Sequence, residues 1–289
     1  MTDYAFRIVN VFAEAALAGN PLCVFEDAQG LDDATMQALA LQFNLSETTF
    51  ILPSEHATAH VRIFTPTFEM PFAGHPTLGT AHVVRAVRDS ADAVTLEMKA
   101  GIIPVIAQGN VWTLRANPPR HRAASATRDA LAAALGLAEA DLADAAPLWV
   151  DTGSEQLVVP LASVDAVHRT APNAEELQRH ASNGTRALAY VWAYDTQPSS
   201  RGTEVFESVV ARFFFLKYGA VVEDPGTGSA CANLGGWLLA TGSTQPRRIA
   251  VSQGDSVGRP CRLFLEVTAD ARILVSGRVV ELGRGTIAL

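Results

Sequence analysis

The chain is organised around the stretch VEDPGTGSACANLGGWLLATG, residues 222–242. This order is typical of a strand end, a tight glycine turn and a helix. Asp224 is predicted as the helix N-cap, Pro225 as the first helical residue and Gly242 as the C-terminal cap. No charged residue occurs between Pro225 and Gln245. Because a surface helix keeps a polar face, this helix is expected to be enclosed on all sides, with free N–H groups at its start that favour an anion.

A second stretch with the same order is FEMPFAGHPTLGTA, residues 68–81. Residues 152–159 also resemble residues 18–25, at an offset of 134 (153 − 19), and residues 226–229 resemble residues 74–77, at an offset of 152 (226 − 74). The matching segments occur in the same order in both halves, and the offset between them grows from 134 to 152 along the chain. We therefore predict an internal duplication of two copies, each strand-rich around one buried helix.

The Pro-rich segment 117–120 is the best candidate for a linker between the copies. The predicted N-terminal half is 1–118, joined by C-terminal strands near 275–289, and the predicted C-terminal half is 119–274. If the two halves face each other, both helix starts would point at one bound anion, and we expect the ligand site between them.

Composition restricts the function. The chain has 289 residues, 48% of them hydrophobic, and a net charge of −8 without a basic run, so a sizeable core is expected and nucleic acid or an anionic membrane is not an expected partner. The N-terminus lacks a signal-peptide pattern, and no apolar stretch reaches the length of a membrane span. Three cysteines without a CxxC pair fit a reducing compartment, so a cytoplasmic location is expected.

Two residues near the first glycine turn are candidates for proton transfer. Glu47 begins a predicted strand, 47–52, after a helix that is predicted to end at Asn44, and burial would raise the pKa of its carboxyl toward a useful range. It can also be a solvated charge at a strand end. His75 stands in the turn before Pro76, where an imidazole can relay a proton or can be an ordinary polar turn residue.

The second glycine turn provides weaker candidates. Asp224 occupies the position in the second half that His75 has in the first, but an aspartate before proline is also a routine helix start. Ser229 can bind a substrate or its own helix. The backbone N–H groups of the turns at Gly74 and Gly228 are expected to bind a carboxylate.

Other chemistries are not supported by the pattern. The turn Gly226–Gly228 lacks the GK[ST] of a P-loop and the third glycine of a dinucleotide-binding fingerprint. The i, i+4 pair His56 and His60 lies in a strand-rich region, so no metal site is expected. No Gly-x-Ser-x-Gly elbow occurs. The cysteines are expected to be core residues.

Several motifs together resemble the phenazine biosynthesis PhzF-like isomerases. They occur in the family's order from about Val11 to Pro260. Any one of these motifs alone would not be specific, but together they are. The segments are Asn20–Leu22, Asn44–Phe50, Pro71–Thr77, Glu223–Ala230, Gln253–Gly254 and Gly258–Pro260.

This resemblance implies an α+β, diaminopimelate epimerase-like fold with two pseudo-symmetric halves, each a mixed barrel-like sheet around a central buried helix. It implies a cofactor-independent isomerase, usually a homodimer, in which Glu47 shuttles a proton. It places His75, Asp224 and Ser229 at supporting site positions and Gly74 at a backbone contact. Two departures, Asn10 for a common aspartate and Gly226 for a frequent alanine, leave the substrate open.

The related epimerases and racemases use two cysteines, one at each glycine turn, and this chain has Ala73 and Pro225 there. With both thiols absent, a one-base proton shift on a small cyclic carboxylate is the favoured hypothesis. An epimerase or racemase with unusual bases, and a non-catalytic carboxylate-binding protein, remain as alternatives.

Overall fold

The computed structural model describes residues 1–201 and 204–289. The chain forms two compact units. Unit 1 is Met1–Arg115 together with Ser276–Leu289, and unit 2 is Ala116–Val275. The sequence prediction put the boundaries after residues 118 and 274.

The described residues form mainly strands, with a few helices between groups of them. The strands are β1 (Asp3–Val11), β2 (Asn20–Phe25), β3 (Thr48–Leu52), β4 (Ala59–Phe64), β5 (Glu69–Met70), β6 (Ala93–Met98), β7 (Gly101–Gln108), β8 (Val111–Arg115), β9 (Arg120–Ala123), β10 (Leu148–Asp151), β11 (Gln156–Pro160), β12 (Leu188–Arg201), β13 (Glu204–Lys217), β14 (Ala220–Asp224), β15 (Arg247–Gln253), β16 (Cys261–Val267) and β17 (Ile273–Ala288). The helices are α1 (Asp33–Phe43), α2 (Gly74–Val87), α3 (Arg128–Ala134), α4 (Val164–Arg169), α5 (Ala174–His180) and α6 (Gly228–Ala240).

Unit 1 is a closed barrel around α2. Pairing runs β1–β2 antiparallel, β2–β3 parallel, β3–β4 antiparallel, β4–β6 parallel and β6–β7–β8 antiparallel. Strand β17 pairs with both β8 and β1 and completes the ring. Helix α2 packs against the inner face of these strands, and every residue from His75 to Ala81 is buried. The barrel therefore fixes the start of α2 relative to the strand ends around it.

Unit 2 repeats the same pairings in the same order. Its strands pair as β10–β11 antiparallel, β11–β12 parallel, β12–β13 antiparallel, β13–β14 antiparallel, β13–β15 parallel and β15–β16 antiparallel. Its central helix α6 packs against β9, β10, β11 and β16. The α+β arrangement of two units, each a sheet around one buried helix, is confirmed.

A matched ion pair in each unit shows the duplication at the level of side chains. In unit 1, the Arg62 guanidinium on β4 donates two hydrogen bonds of 2.8 Å to the Glu69 carboxylate on β5. In unit 2, Arg212 on β13 donates two, of 3.1 and 2.7 Å, to Glu223 on β14. Since Glu69 and Glu223 both lie five residues before the first residue of the central helix, they mark equivalent positions at an offset of 154 (223 − 69).

The expected burial of the central helix is confirmed, because every residue from Ala230 to Leu238 of α6 is buried. Its close packing depends on glycine. A Cβ added to Gly236 would lie 2.7 Å from Val150 Cγ1 and 2.8 Å from Pro119 Cβ. The C-terminal prediction is also confirmed: Gly242 has a φ of +76°, and its N–H and that of Ser243 donate to the last helical carbonyls in a Schellman arrangement.

The predicted start of α6 is wrong by three residues. Helix α6 begins at Gly228 with Thr227 as its N-cap, whereas Asp224 is the last residue of β14. The predicted N-cap role of Asp224 fails because the helix begins three residues later, and the Asp224 carboxylate accepts a hydrogen bond from the hydroxyl of Thr227, the actual N-cap.

Candidate active site

Glu47 and His75 meet inside unit 1. Asn44, in the left-handed conformation with φ 50°, ends α1, and the chain then turns so that Glu47 immediately precedes β3. His75 is the second residue of α2. The Nε2 atom of His75 lies 3.5 Å from Oε2 of Glu47, and the two side chains are only 7% and 15% exposed. Residues far apart in sequence thus form a close, shielded pair.

The His75 imidazole is neutral in this environment. Desolvation by burial lowers the pKa of His75 to about 3, and a hydrogen bond to the Pro21 carbonyl opposes this only in part. The short approach to Glu47 is therefore not an ion pair near neutral pH, although its distance alone would allow one. A neutral imidazole beside a carboxyl group can accept, hold or return one proton.

The remaining contacts of the His75 ring come from the start of β2. The Asn20 side-chain nitrogen, a donor, lies 3.5 Å from Nδ1 of His75, and the Pro21 carbonyl is an acceptor for the ring. One partner favours an unprotonated ring nitrogen and the other a protonated one. Both neutral tautomers therefore have a partner, which suits a ring that relays a proton.

The start of α2 presents backbone donors beside this pair. The first helical hydrogen bond runs from the Thr77 N–H to the Ala73 carbonyl, and Pro76 has no N–H. No side chain caps this helix, because its N-cap is Ala73, whereas α1, α4 and α5 are capped by Asp32, Ser163 and Asn173. The N–H groups of Gly74 and His75 precede this first bond and so have no acceptor within the helix, which suits them to bind a ligand.

Asp224 and its neighbours form the corresponding region in unit 2. The Asp224 carboxylate accepts from the Thr227 hydroxyl, and the Gln253 amide donates to the Asp224 carbonyl at 2.9 Å and to the Thr227 hydroxyl at 3.0 Å. Gln253 is 1% exposed. Its side chain, on β15, therefore fixes the turn between β14 and α6 and holds the Asp224 side chain in place.

The start of α6 also lacks a side-chain cap. Its first backbone bond runs from the Cys231 N–H to the Thr227 carbonyl, so the N–H groups of Gly228, Ser229 and Ala230 precede it. Gly228 and Ser229 are half-buried. The partial positive charge of the helix start and these donors together suit a small anion.

A buried chain of amides supports Ser229, and sequence reasoning missed it. The Gln156 side-chain nitrogen donates to Ser229 Oγ at 2.9 Å, and the Gln156 oxygen accepts from the Asn233 side chain at 2.9 Å. Asn233 Oδ1 in turn accepts from the backbone N–H and hydroxyl of Thr152. A lone asparagine in an otherwise apolar helix is the signal that could have revealed this chain.

The internal symmetry differs from the sequence prediction. Aligned by their N-caps Ala73 and Thr227, the central helices are offset by 154 residues (227 − 73), rather than the 152 read from the glycine turns. His75 therefore corresponds to Ser229, and Asp224 corresponds to Met70. The interpretation of Asp224 as the counterpart of His75 is wrong.

Other potential reactive groups are not part of these clusters. Cys23, Cys231 and Cys261 are fully buried, and desolvation raises the pKa of each thiol well above its usual range. Over residues 1–201 and 204–289, no three His, Cys, Asp or Glu side chains gather in a metal-binding group. In the same part of the chain, no helix is both long and apolar enough to span a membrane.

The sequence and fold match known proteins along nearly the whole chain. The model of the phenazine biosynthesis-like protein family, PhzC-PhzF, matches residues 9–285. An uncharacterized isomerase of Pasteurella multocida is 38% identical over 300 residues, covering 99% of this chain and 95% of the relative. The trans-2,3-dihydro-3-hydroxyanthranilate isomerase of Pseudomonas fluorescens is 34% identical over 298 residues, covering 98% and 99%.

The fold agrees with these sequence matches. A PhzF-family phenazine biosynthesis protein of Bacillus anthracis, solved by crystallography, has a TM-score of 0.87 and 26% identity, with 100% of each chain covered. The predicted diaminopimelate epimerase-like fold is confirmed. The chain belongs to the PhzC-PhzF phenazine biosynthesis-like family and is an isomerase.

Proposed function

We propose that the enzyme moves a proton between two carbons of a small cyclic carboxylate, with Glu47 as the proton carrier. The observation that carries this proposal is the 3.5 Å approach of the Glu47 carboxyl to the buried, neutral His75. A carboxyl group so shielded can be tuned for general acid–base work.

The proposed reaction balances without any other reactant. The Glu47 carboxylate removes a proton from one carbon, the electron pair shifts along the conjugated system of the substrate, and the protonated Glu47 returns the proton to a second carbon. The neutral His75 ring lies beside this carboxyl and, through its two tautomers, can present either a donor or an acceptor nitrogen to it. Asp224 assists by orienting the substrate.

The uncapped starts of α2 and α6 are each proposed as a carboxylate-binding element. The N–H groups of Gly74 in α2 and of Gly228 and Ser229 in α6 are the proposed donors. Negative charge that develops next to the carboxylate during C–H cleavage would be stabilised by such preorganised groups. The substrate class follows the relative that acts on trans-2,3-dihydro-3-hydroxyanthranilate.

The test is turnover of trans-2,3-dihydro-3-hydroxyanthranilate in D₂O, followed by NMR of the product. We expect isomerisation with deuterium at no more than one product carbon, the one that Glu47 reprotonates, because the proton on its carboxyl can exchange with solvent before the transfer. Exchange of the α-proton in both enantiomers of an amino acid would support an epimerase instead. Binding of carboxylates without turnover would support a non-catalytic protein.

We also propose that the enzyme is a cytoplasmic homodimer that needs no cofactor. Light scattering of the purified protein measures its mass against the 30.7 kDa of one chain. Activity retained after gel filtration in a chelator would support cofactor independence, and restoration only by an added metal or coenzyme would contradict it.

A further inference from the structure

The amide chain in unit 2 has a fixed direction. At one end, Asn233 Oδ1 accepts from the Thr152 backbone N–H at 3.0 Å, and an N–H can only donate. At the other side of the same amide, Asn233 Nδ2 donates to the Ser154 carbonyl at 2.8 Å, and a carbonyl can only accept. Two backbone groups therefore independently fix which atom of Asn233 is oxygen.

The donor-to-acceptor direction fixed at Asn233 determines the hydrogen bond that Gln156 makes to Ser229. Because Asn233 Nδ2 donates to Gln156 Oε1, the Gln156 amide must present its nitrogen to the Ser229 hydroxyl oxygen. Among the described residues 1–201 and 204–289, the bond from Gln156 is the one side-chain hydrogen bond seen at Ser229 Oγ. A hydroxyl has one hydrogen and two lone pairs, so one lone pair is occupied and the hydrogen points away from Gln156. Ser229 is thus prepared as a donor.

The fold itself does not require these polar residues. In unit 1, Leu22 on β2 corresponds to Gln156 (156 − 22 = 134), and Gly79 on α2 corresponds to Asn233 (233 − 79 = 154). These two also meet, since a Cβ on Gly79 would lie 2.7 Å from Leu22 Cδ2. One copy of the architecture fills this contact with apolar groups and the other with buried amides, although buried polar groups bring a desolvation cost.

We propose that Gln156 and Asn233 are positioning residues that hold Ser229 as a hydrogen-bond donor and thereby select a carboxylate over a ligand that presents a donor. Asn233 is fully buried and Gln156 is 3% exposed, so neither amide can easily rotate to another partner. The Ser229 hydroxyl adds its hydrogen to the N–H groups of Gly228 and Ser229. The proposal rests on the proposed function in that it names the group of the substrate that unit 2 recognises.

The variant Gln156→Glu tests the direction of the chain with almost no change in shape. The new carboxylate can still accept from Asn233, but it can only accept from Ser229. The Ser229 hydrogen would then turn toward position 156 and present lone pairs to the ligand. The matched control Gln156→Met has a similar volume and removes the bond without reversing it, leaving the hydroxyl free to rotate.

The measurement is calorimetric binding of two probes, anthranilate and its uncharged amide anthranilamide, repeated in a Ser229→Ala background. Salt does not screen a charge buried at position 156, and only an effect that passes through the Ser229 hydroxyl disappears in that background. For Gln156→Glu we expect the affinity for anthranilate to fall about 10- to 100-fold, with that for anthranilamide unchanged or improved, as loss of a charged hydrogen bond implies. For Gln156→Met both affinities should change by less than about 3-fold. Circular dichroism and thermal unfolding check that both variants fold.

The outcomes separate this inference from the proposed function. A parallel change for both probes in Gln156→Glu, or no change, overturns the positioning role even if the wild type is an active isomerase. A selective fall in the affinity of Gln156→Glu for anthranilate supports the donor role of Ser229. That conclusion holds even if the wild type turns over no substrate. Failure of the wild type to prefer anthranilate over anthranilamide also contradicts the inference.

Discussion

Nε2 of His75 lies 3.5 Å from Oε2 of Glu47, at the point where the buried helix α2 begins and β3 is about to start. The two residues are separated by 28 positions (75 − 47), and the barrel of unit 1 brings them together. The same burial that shields the pair keeps the imidazole neutral. This relationship has consequences for both stability and catalysis.

Burial of His75 predicts a pH-dependent loss of stability. Its pKa is about 3 in the folded state against an ordinary value of about 6.5, so the unfolded state binds a proton first as the pH falls. Stability is therefore fully present above pH 6.5 and decreases below it, by up to about 1.4 kcal/mol per pH unit for one proton.

Urea unfolding at pH 7, 6, 5 and 4 measures this slope. The variant His75→Gln should have a shallower slope between pH 6 and 4 than the wild type, by close to one proton. His82, whose pKa burial lowers to about 4, should preserve part of the slope in that variant. Identical slopes in the two proteins would show that the His75 ring is already protonated in the folded state.

Asp224→Asn separates charge from geometry in unit 2. The asparagine keeps an oxygen that can accept from the Thr227 hydroxyl, so the turn held by Gln253 should persist. Loss of the charge should reduce kcat by about 10²-fold if Asp224 assists the reaction. Asp270→Asn, at a surface residue that is 63% exposed, is the control and should retain normal kcat. Equal kcat in the two variants would remove Asp224 from the mechanism.

Removing one partner of the Arg212–Glu223 pair should be costly because the two side chains are only 12% and 8% exposed. Glu223→Gln leaves the Arg212 charge without its buried partner and should cost about 3 kcal/mol in the free energy of unfolding. Asp165→Asn breaks an exposed pair with Arg169 and should cost about 0.5 kcal/mol or less. Chemical unfolding compares the two, and similar small costs would contradict the role given to the buried pair.

The close approach of α6 to its sheet is tested with Gly236→Ala. Alanine favours a helix by about 1 kcal/mol over glycine, but its Cβ would contact Val150 and Pro119 at less than 3 Å. We expect net destabilisation of about 1–3 kcal/mol, as for an overpacked core. Gly283→Ala meets no atom within 4 Å and should change stability little. A stabilised Gly236→Ala protein would mean that the strands yield easily to the extra methyl group.

Much of the fold could be predicted because its signals are local or repeated. The uncharged stretch after Pro225 predicted the buried α6, Asn44 predicted the end of α1, and the repeated glycine turns predicted the duplication. The start of α6 could not be placed correctly. Its turn depends on Gln253, which lies 29 residues after Asp224 in the chain and is brought close only by β15.

Less of the candidate site than of the fold could be predicted from the sequence. Glu47 was a candidate from its place at the start of a predicted strand and gained its proton-shuttle role through the resemblance to a family, but nothing local showed that it reaches His75. Gln156 was overlooked because it looks ordinary in its own segment, and Asn233, although unusual in the apolar helix α6, had no visible partner in the sequence. Their importance follows from comparison with Leu22 and Gly79 in the other copy, and that comparison needed the helix offset that the structure provides.

The central claim is that the Glu47 carboxyl carries the proton, and its most direct test is the kcat of Glu47→Gln on trans-2,3-dihydro-3-hydroxyanthranilate. Glutamine keeps the size of the side chain beside His75 but cannot accept the proton. The exposed Glu55→Gln in the same unit is the control. We predict a loss of about 10²–10⁴-fold or more for Glu47→Gln, with an unchanged fold and normal kcat for the control. Turnover by Glu47→Gln at the wild-type rate would contradict the account.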